Sequence, residues 1–226
     1  MKAYFKTPIG YVFMAIFLSV SGFLFAYCCL YGRTSDVSQY FNYLLFAYIL
    51  IIPLLTMKSF AEERRQGTEQ LLLTSPVSLV KLVAAKFLAC FTMFLITLAA
   101  SLLYFVTLWI YGDPNVGKIV GNTIAVALVA ACFIAIGLFV SSLTQNQFVA
   151  AMATIGILVF LLALGIIEPL ISSELLKTLI GWVSIHSRYG NFTLGKFDFA
   201  ALLYYISIAF VFLFLTVRVY EKRRYA

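Results

Sequence analysis

The chain has 226 residues, 63% of them hydrophobic and only 11% charged, with a net charge of +7. That composition excludes an ordinary soluble domain, because apolar runs of about twenty residues recur, each long enough to cross a hydrocarbon core ~30 Å thick. The basic residues flank these runs instead of sharing a soluble face, so they read as membrane-orientation signals and not as a nucleic-acid surface.

At the start, MKAYFKTP sets Lys2 and Lys6 among Tyr4, Phe5 and Pro8. This predicts a short interfacial elbow helix broken at Pro8. The first apolar run, Ile9–Tyr31, exceeds the roughly 7 to 15 residues of a secretory signal core and closes without a small-x-small cleavage pattern, so it is expected to be retained. Five more runs follow at Tyr40–Met57, Phe87–Tyr111, Ile119–Val140, Phe148–Ile167 and Phe199–Val217. The expected fold class is therefore an all-α integral membrane protein of six transmembrane helices, with residues 1–226 forming a single domain. Cys28, Cys29, Cys90 and Cys132 lack C-x-x-C spacing and sit mostly inside apolar runs. They read as packing residues, with no metal site or disulfide framework indicated.

Lys and Arg fix the expected orientation. One side holds Lys2, Lys6, the Lys58–Lys86 loop and the tail from Arg218 to Arg224; the other holds Arg33, Lys118, Lys177, Arg188 and Lys196. The richer side is expected to be cytoplasmic, with both termini on it. The basic tail, VRVYEKRRYA, is read as an anchor that does nothing further.

The stretch GDPNVGKI, from Gly112 to Ile119, matches a phosphate-binding loop except at its last position, where Ile119 lacks the hydroxyl that would hold magnesium. It falls between two spans on the outer side, and the chain has no Asp-x-x-Gly or Asn-Lys-x-Asp to accompany it. It reads as a turn. Between Glu168 and Asp198, apolar residues such as Leu175, Leu179, Ile180 and Trp182 alternate with polar ones. A pair of short helices dipping into the outer leaflet fits this pattern, and so does a loop lying flat on the bilayer.

No Asp, Glu, Lys, Arg or His lies inside the six apolar cores. Ion-coupled transporters use such groups near the midplane, so an energy source outside the chain is expected. The single His, His186, has no neighbouring ligands for a metal.

The longest loop on the cytoplasmic side, Lys58–Lys86, carries Glu62, Glu63, Arg64 and Arg65, after which Gly67 interrupts the helix. Thr68 can cap a new helix, Glu69 suits its first turn, and Pro76 holds Ser75 out of helical geometry. Consecutive leucines at 71, 72 and 73 spread over some 200° of that two-turn helix, so part of it needs a partner other than lipid. Ser78 then caps the helix that enters the third span.

Here the residues become recognisable. EERRQGTEQLLLTSPVSLVKLVAAKF resembles the cytoplasmic coupling segment of ABC-2 type transporter permeases in order and spacing. AIGLFVSSLTQNQFVAA, from Ala135 to Ala151, is similar to that family's turn between helices 4 and 5, and YFKTPIGYVFMAIF to its elbow and first helix, especially in the gliding-motility-associated branch. The resemblance implies the permease subunit of an ATP-driven exporter in the plasma (cell inner) membrane. Two such chains, expected to be a homodimer, would pair with two copies of a separate cytosolic ABC ATPase. It places ATPase coupling on Glu62, Glu63, Arg64, Gly67, Thr68, Glu69, Leu72, Ser75 and Pro76, with a secondary contact at Ser142, Gln145, Asn146 and Gln147. No cofactor is expected on this chain, since ATP and magnesium would sit on the partner. Small residues such as Ala131, Ala135 and Gly137 allow the close approach a dimer needs, although close packing within one subunit is the commoner role for any single one of them.

Two other classes compete. Glu62-Glu63 is similar to the Glu-Glu-x-x-x-Arg of certain intramembrane proteases, but the position an Arg should fill is Gly67, and paired histidines are absent. A membrane anchor that holds an ATPase without moving a substrate has no contrary residue.

Overall fold

The computed structural model describes residues 8–70, 78–112, 114–168, 181, 184–185, 189–190 and 198–225. Among them the chain is helical without strands. The elbow expected before Pro8, the transverse helix through Leu72, Ser75 and Pro76, and most of the outer segment between Glu168 and Asp198 lie outside the described residues.

Helix α1 (Pro8–Phe25) runs into a π-helical turn, Ala26–Tyr31. Helix α2 covers Ser38–Arg65. Helix α3 (Leu79–Ser101) continues through a 3-10 turn at Leu102–Tyr104 into α4 (Phe105–Tyr111). Helices α5 (Val116–Leu143), α6 (Gln147–Ile167) and α7 (Phe199–Tyr225) complete the order. With α3 and α4 joined, six helices are long and apolar enough to cross a membrane.

Helix starts are set by local side-chain acceptors for otherwise unpaired N–H groups. Asp36 accepts from the Ser38 amide at 3.2 Å ahead of α2, Asn115 from Lys118 N at 3.2 Å in α5, Asn146 from Phe148 N at 2.9 Å in α6, and Asp198 from Ala200 N at 2.9 Å in α7. Within GDPNVGKI, Asn115 thus caps α5 and Val116–Ile119 form its first turn, and the Lys118 ammonium pairs with Asp36 at 3.4 Å.

The third span begins earlier than its apolar run. As expected for a helix that starts after Ser78 and runs through Lys81 and Lys86 into the span, α3 begins at Leu79, and Lys86 turns inward to a partner on α2. Ser78 does precede the first residue of α3, but its side chain makes no capping hydrogen bond.

Helices α2 and α5 form the centre. In each, 67% of the spanning window is buried, against 28 to 39% in the other four spans. They meet so closely that a Cβ on Gly137 would stand 2.9 Å from Thr56 Cβ. Around them, aromatic rings supply the contact area that packing in lipid requires, since no hydrophobic driving force favours one apolar helix over another there. Phe17, Tyr48 and Phe94 tie α1, α2 and α3 together with ring centroids 5.3 to 5.8 Å apart. The Cys132 thiol donates to the Tyr205 carbonyl at 2.9 Å, joining α5 to α7.

This packing decides between the two roles open to Ala135 and Gly137. Ala135 and Gly137 are buried inside the subunit, with Gly137 set against Thr56, so they do not present a face to a second chain.

Candidate functional site

Helices α2 and α7 end, α3 begins and α5 turns into α6 at one end of the bundle, and most of the charged side chains that reach across helices converge there. The last turns of α2 start this cluster. Ser141 of α5 lies under them, its hydroxyl accepting from Phe60 N at 3.2 Å and Ala61 N at 3.1 Å and donating to the Met57 carbonyl at 3.1 Å. A single hydroxyl therefore fixes where α2 leaves the bundle relative to α5.

Just beyond it, Lys86 of α3 reaches back to α2. Its ammonium donates to the Ser59 carbonyl and to the Glu63 carboxylate, and stands 4.2 Å over the Phe60 ring. Burial of an ammonium at the edge of an apolar bundle requires such a full set of partners.

Helix α2 stops at Arg65, and Gly67 carries the chain round with φ of +71°, a left-handed conformation that suits glycine at a helix end. Thr68 donates its hydroxyl back to the Glu63 carbonyl at 3.2 Å, closing the end of α2. The turn brings Glu69 inward, to 8% exposure. There its Oε1 accepts from Arg223 Nη1 at 2.9 Å and its Oε2 lies 3.7 Å from Arg64 Nε. The same two arginines also cap α5: Arg223 Nη2 donates to the Ser142 carbonyl at 2.7 Å and Arg64 Nη1 to the Leu143 carbonyl at 2.9 Å. Carbonyls in the last turn of a helix lack helical donors and carry the negative end of its dipole, so two guanidinium groups between them and a carboxylate satisfy both sides.

The residues singled out from the sequence thus divide. Glu63, Arg64, Thr68 and Glu69 are engaged within the chain, while Glu62 accepts only from its helical neighbour Gln66, at 3.2 Å, among the hydrogen bonds seen here. Gly67 makes the turn. On the second segment, Ser142 is buried and contributes its carbonyl, with its hydroxyl donated to Phe139 at 2.6 Å. Gln145 and Asn146 are exposed in the turn, and Gln147 opens α6. Leu72, Ser75 and Pro76 lie outside the described residues.

Sequence reasoning missed Lys86, Ser141 and Arg223. In the sequence the first lies in the helix entering the third span without a visible partner, the second reads as one more small residue in an apolar helix, and the third as one of several anchoring basic residues. The tail does more than anchor, because Arg223 reaches across to Glu69, 154 positions away. Among the described residues, no group of three His, Cys, Asp or Glu is placed to hold a metal.

Residues 34–223 match the family model described as ABC-2 family transporter protein. No curated protein matches the chain.

Proposed function

We propose, because the chain belongs to the ABC-2 family of membrane transporters, that it is the permease subunit of an ATP-driven exporter working with separate ABC ATPase subunits. The family match along residues 34–223 carries this reading. Six apolar helices without an ionisable group in their cores support it, since a chain of that kind has no means of its own to couple an ion gradient.

In this reading the charged end of the bundle faces the cytoplasm, both termini lie there, and the membrane is the plasma (cell inner) membrane. The segment from Glu62 to Pro76 docks on the ATPase, and the Ser142–Gln147 turn makes a second contact. Two permease chains form the path and two ATPase copies drive it, with ATP and magnesium held by the partner. An amphipathic substrate suits walls made of Phe, Tyr, Leu and Ala.

The paired charges sharpen the test. Reversing Glu63 would also break its pair with Lys86, so Glu62→Lys is the cleaner probe of docking, alongside Leu72→Asp on the apolar side. A carboxylate at position 72, buried unpaired in an interface, is expected to cost several kcal/mol and to abolish ATPase copurification. The purified permease alone should hydrolyse no ATP, and the reconstituted complex should. Turnover by the permease alone, or full ATPase binding by both variants, would overturn the proposal. Hydrolysis indifferent to every candidate substrate would favour a membrane anchor over an exporter.

A further inference from the structure

Glu69 is nearly buried at the negative end of α5, a place a carboxylate occupies only with cations between it and the helix carbonyls. Two supply that separation, and they come from different helices. Arg64 belongs to α2; Arg223 belongs to α7 and is the tail residue that leaves its own helix for this contact. By contrast, Arg218 pairs at 2.7 Å with Glu221 of the same helix, and Lys222 and Arg224 are exposed.

The helices joined at Glu69 differ in how much of each is covered within the chain. Both α2 and α5 are packed on most sides, with 67% of their spanning windows buried, whereas α7 has 28%. Helix α7 is also bordered by open apolar grooves on two flanks. One, of about 620 Å³, separates it from α6, with Ile157, Phe160 and Leu161 facing Ile208 and Phe212. The other, of about 320 Å³, separates it from α3. A displacement of the loop that carries Glu69 therefore acts through Arg64 on the covered helix α2, and through Arg223 on a helix that is seated along α5 but has a groove on each flank.

We propose that Glu69 and Arg223 form a transmission latch, in which Arg223 is the positioning residue that carries movement of the loop after α2 to α7 and so changes the width of the α6–α7 groove. The latch rests on the reading of that loop as the ATPase-docking segment. It adds the end of α7 to the moving parts, a role that neither the family match nor the loop's sequence assigns.

The test uses the full-length permease in lipid nanodiscs, with spin labels at cysteines replacing Phe160 and Phe210, exposed positions on α6 and α7. In the permease alone, Arg223→Gln and Glu69→Gln should each broaden the label-to-label distance distribution, and the double variant should broaden it no further. Arg223→Lys, which keeps the charge, should restore a narrow distribution. With the ATPase bound, ATP and vanadate should shift the distance in the wild type. Arg223→Gln should lose that shift while retaining bound ATPase, and Lys222→Gln should behave as wild type. A distribution unchanged by Arg223→Gln in the permease alone, or a full nucleotide-driven shift in the Arg223→Gln complex, would overturn the latch. Failure of the wild-type chain to bind an ABC ATPase would instead remove the docking role of the loop, and the first arm would still decide whether Arg223 holds α7.

Discussion

A single methyl group added at Gly137 probes the contact between the two central helices. Its Cβ would stand 2.9 Å from Thr56 Cβ and 3.1 Å from Thr56 Cγ2, and Thr56 is fully buried with its hydroxyl donated to the Ile52 carbonyl at 3.3 Å. A β-branched side chain tied in this way has little freedom to rotate aside. Separating the helices would also disturb packing on their far sides, so the clash must be absorbed locally. Overpacking of this kind costs ~1 to 3 kcal/mol, from which the helical preference of Ala over Gly subtracts ~0.5 to 1 kcal/mol. The net loss, up to about 2.5 kcal/mol, corresponds to a Tm lower by up to roughly 10 °C for a chain of this size. Gly156 supplies the control, because a Cβ there meets nothing within 4 Å. Thermal unfolding of the purified permease in detergent should therefore show Gly137→Ala below wild type and Gly156→Ala at or slightly above it. Thr56→Ala should recover part of the Gly137→Ala loss by removing the hydroxyl and Cγ2. Unfolding of Gly137→Ala at or above the wild-type temperature would show that the helices are not packed at this distance.

Two further changes test the polar groups. Lys86→Met strips Glu63 of its cation where both side chains are largely covered, 16% and 32% exposed; a loss of about 1 to 3 kcal/mol is expected, below the value for a fully buried pair, with recovery when Glu63→Gln is added. A double-mutant cycle in thermal unfolding measures it, and additive losses would refute the coupling. Tyr48 is fully buried with its hydroxyl oxygen lacking a hydrogen-bond partner among the described residues, whereas Tyr40 shares a 2.8 Å bond with Ser21. Tyr48→Phe should thus be neutral or stabilising, and Tyr40→Phe destabilising by ~1 kcal/mol, in the same assay; the opposite order would contradict this arrangement.

The spans were legible because each is a long apolar run in a solvent that forces every backbone group into a helix. Helices α2, α3 and α7 run past their apolar stretches at the charged end, to Arg65, from Leu79 and to Tyr225; the start after Ser78 was legible from the letters, whereas the pairing of Lys86 with Glu63 was not. Helix pairing was less legible. Gly137 is consistent with an inner or an outer contact in the sequence, and the position of Thr56 decides between them. At the charged end, the turn at Gly67 followed from its letters, since a helix rich in charge meets a glycine there. The wiring did not follow, because Glu69 and Arg223 are joined by no periodicity and by no short spacing.

That wiring changes how the proposed docking segment has to work. Glu63, Arg64 and Glu69, which look like a charged invitation in the sequence, already satisfy one another, Lys86, Arg223 and the end of α5. Recruiting them to a partner would mean breaking charge pairs in a poorly solvated place, a cost of several kcal/mol before any contact is gained. The outward-facing groups of this turn are instead Arg65, Gln66, Thr68 and Gln70, with Gln145 and Asn146 in the turn before α6 and the exposed Lys81, Lys222 and Arg224 at the same end, and the leucines of the transverse segment follow directly in sequence. Exposed amides and basic groups next to an apolar sequence suit recognition by fit into a groove, with the basic groups at the rim, while the internal charge pairs hold that surface in one orientation. Neutralising the internal pairs should therefore loosen coupling more than it weakens docking, whereas Leu72→Asp should do the reverse.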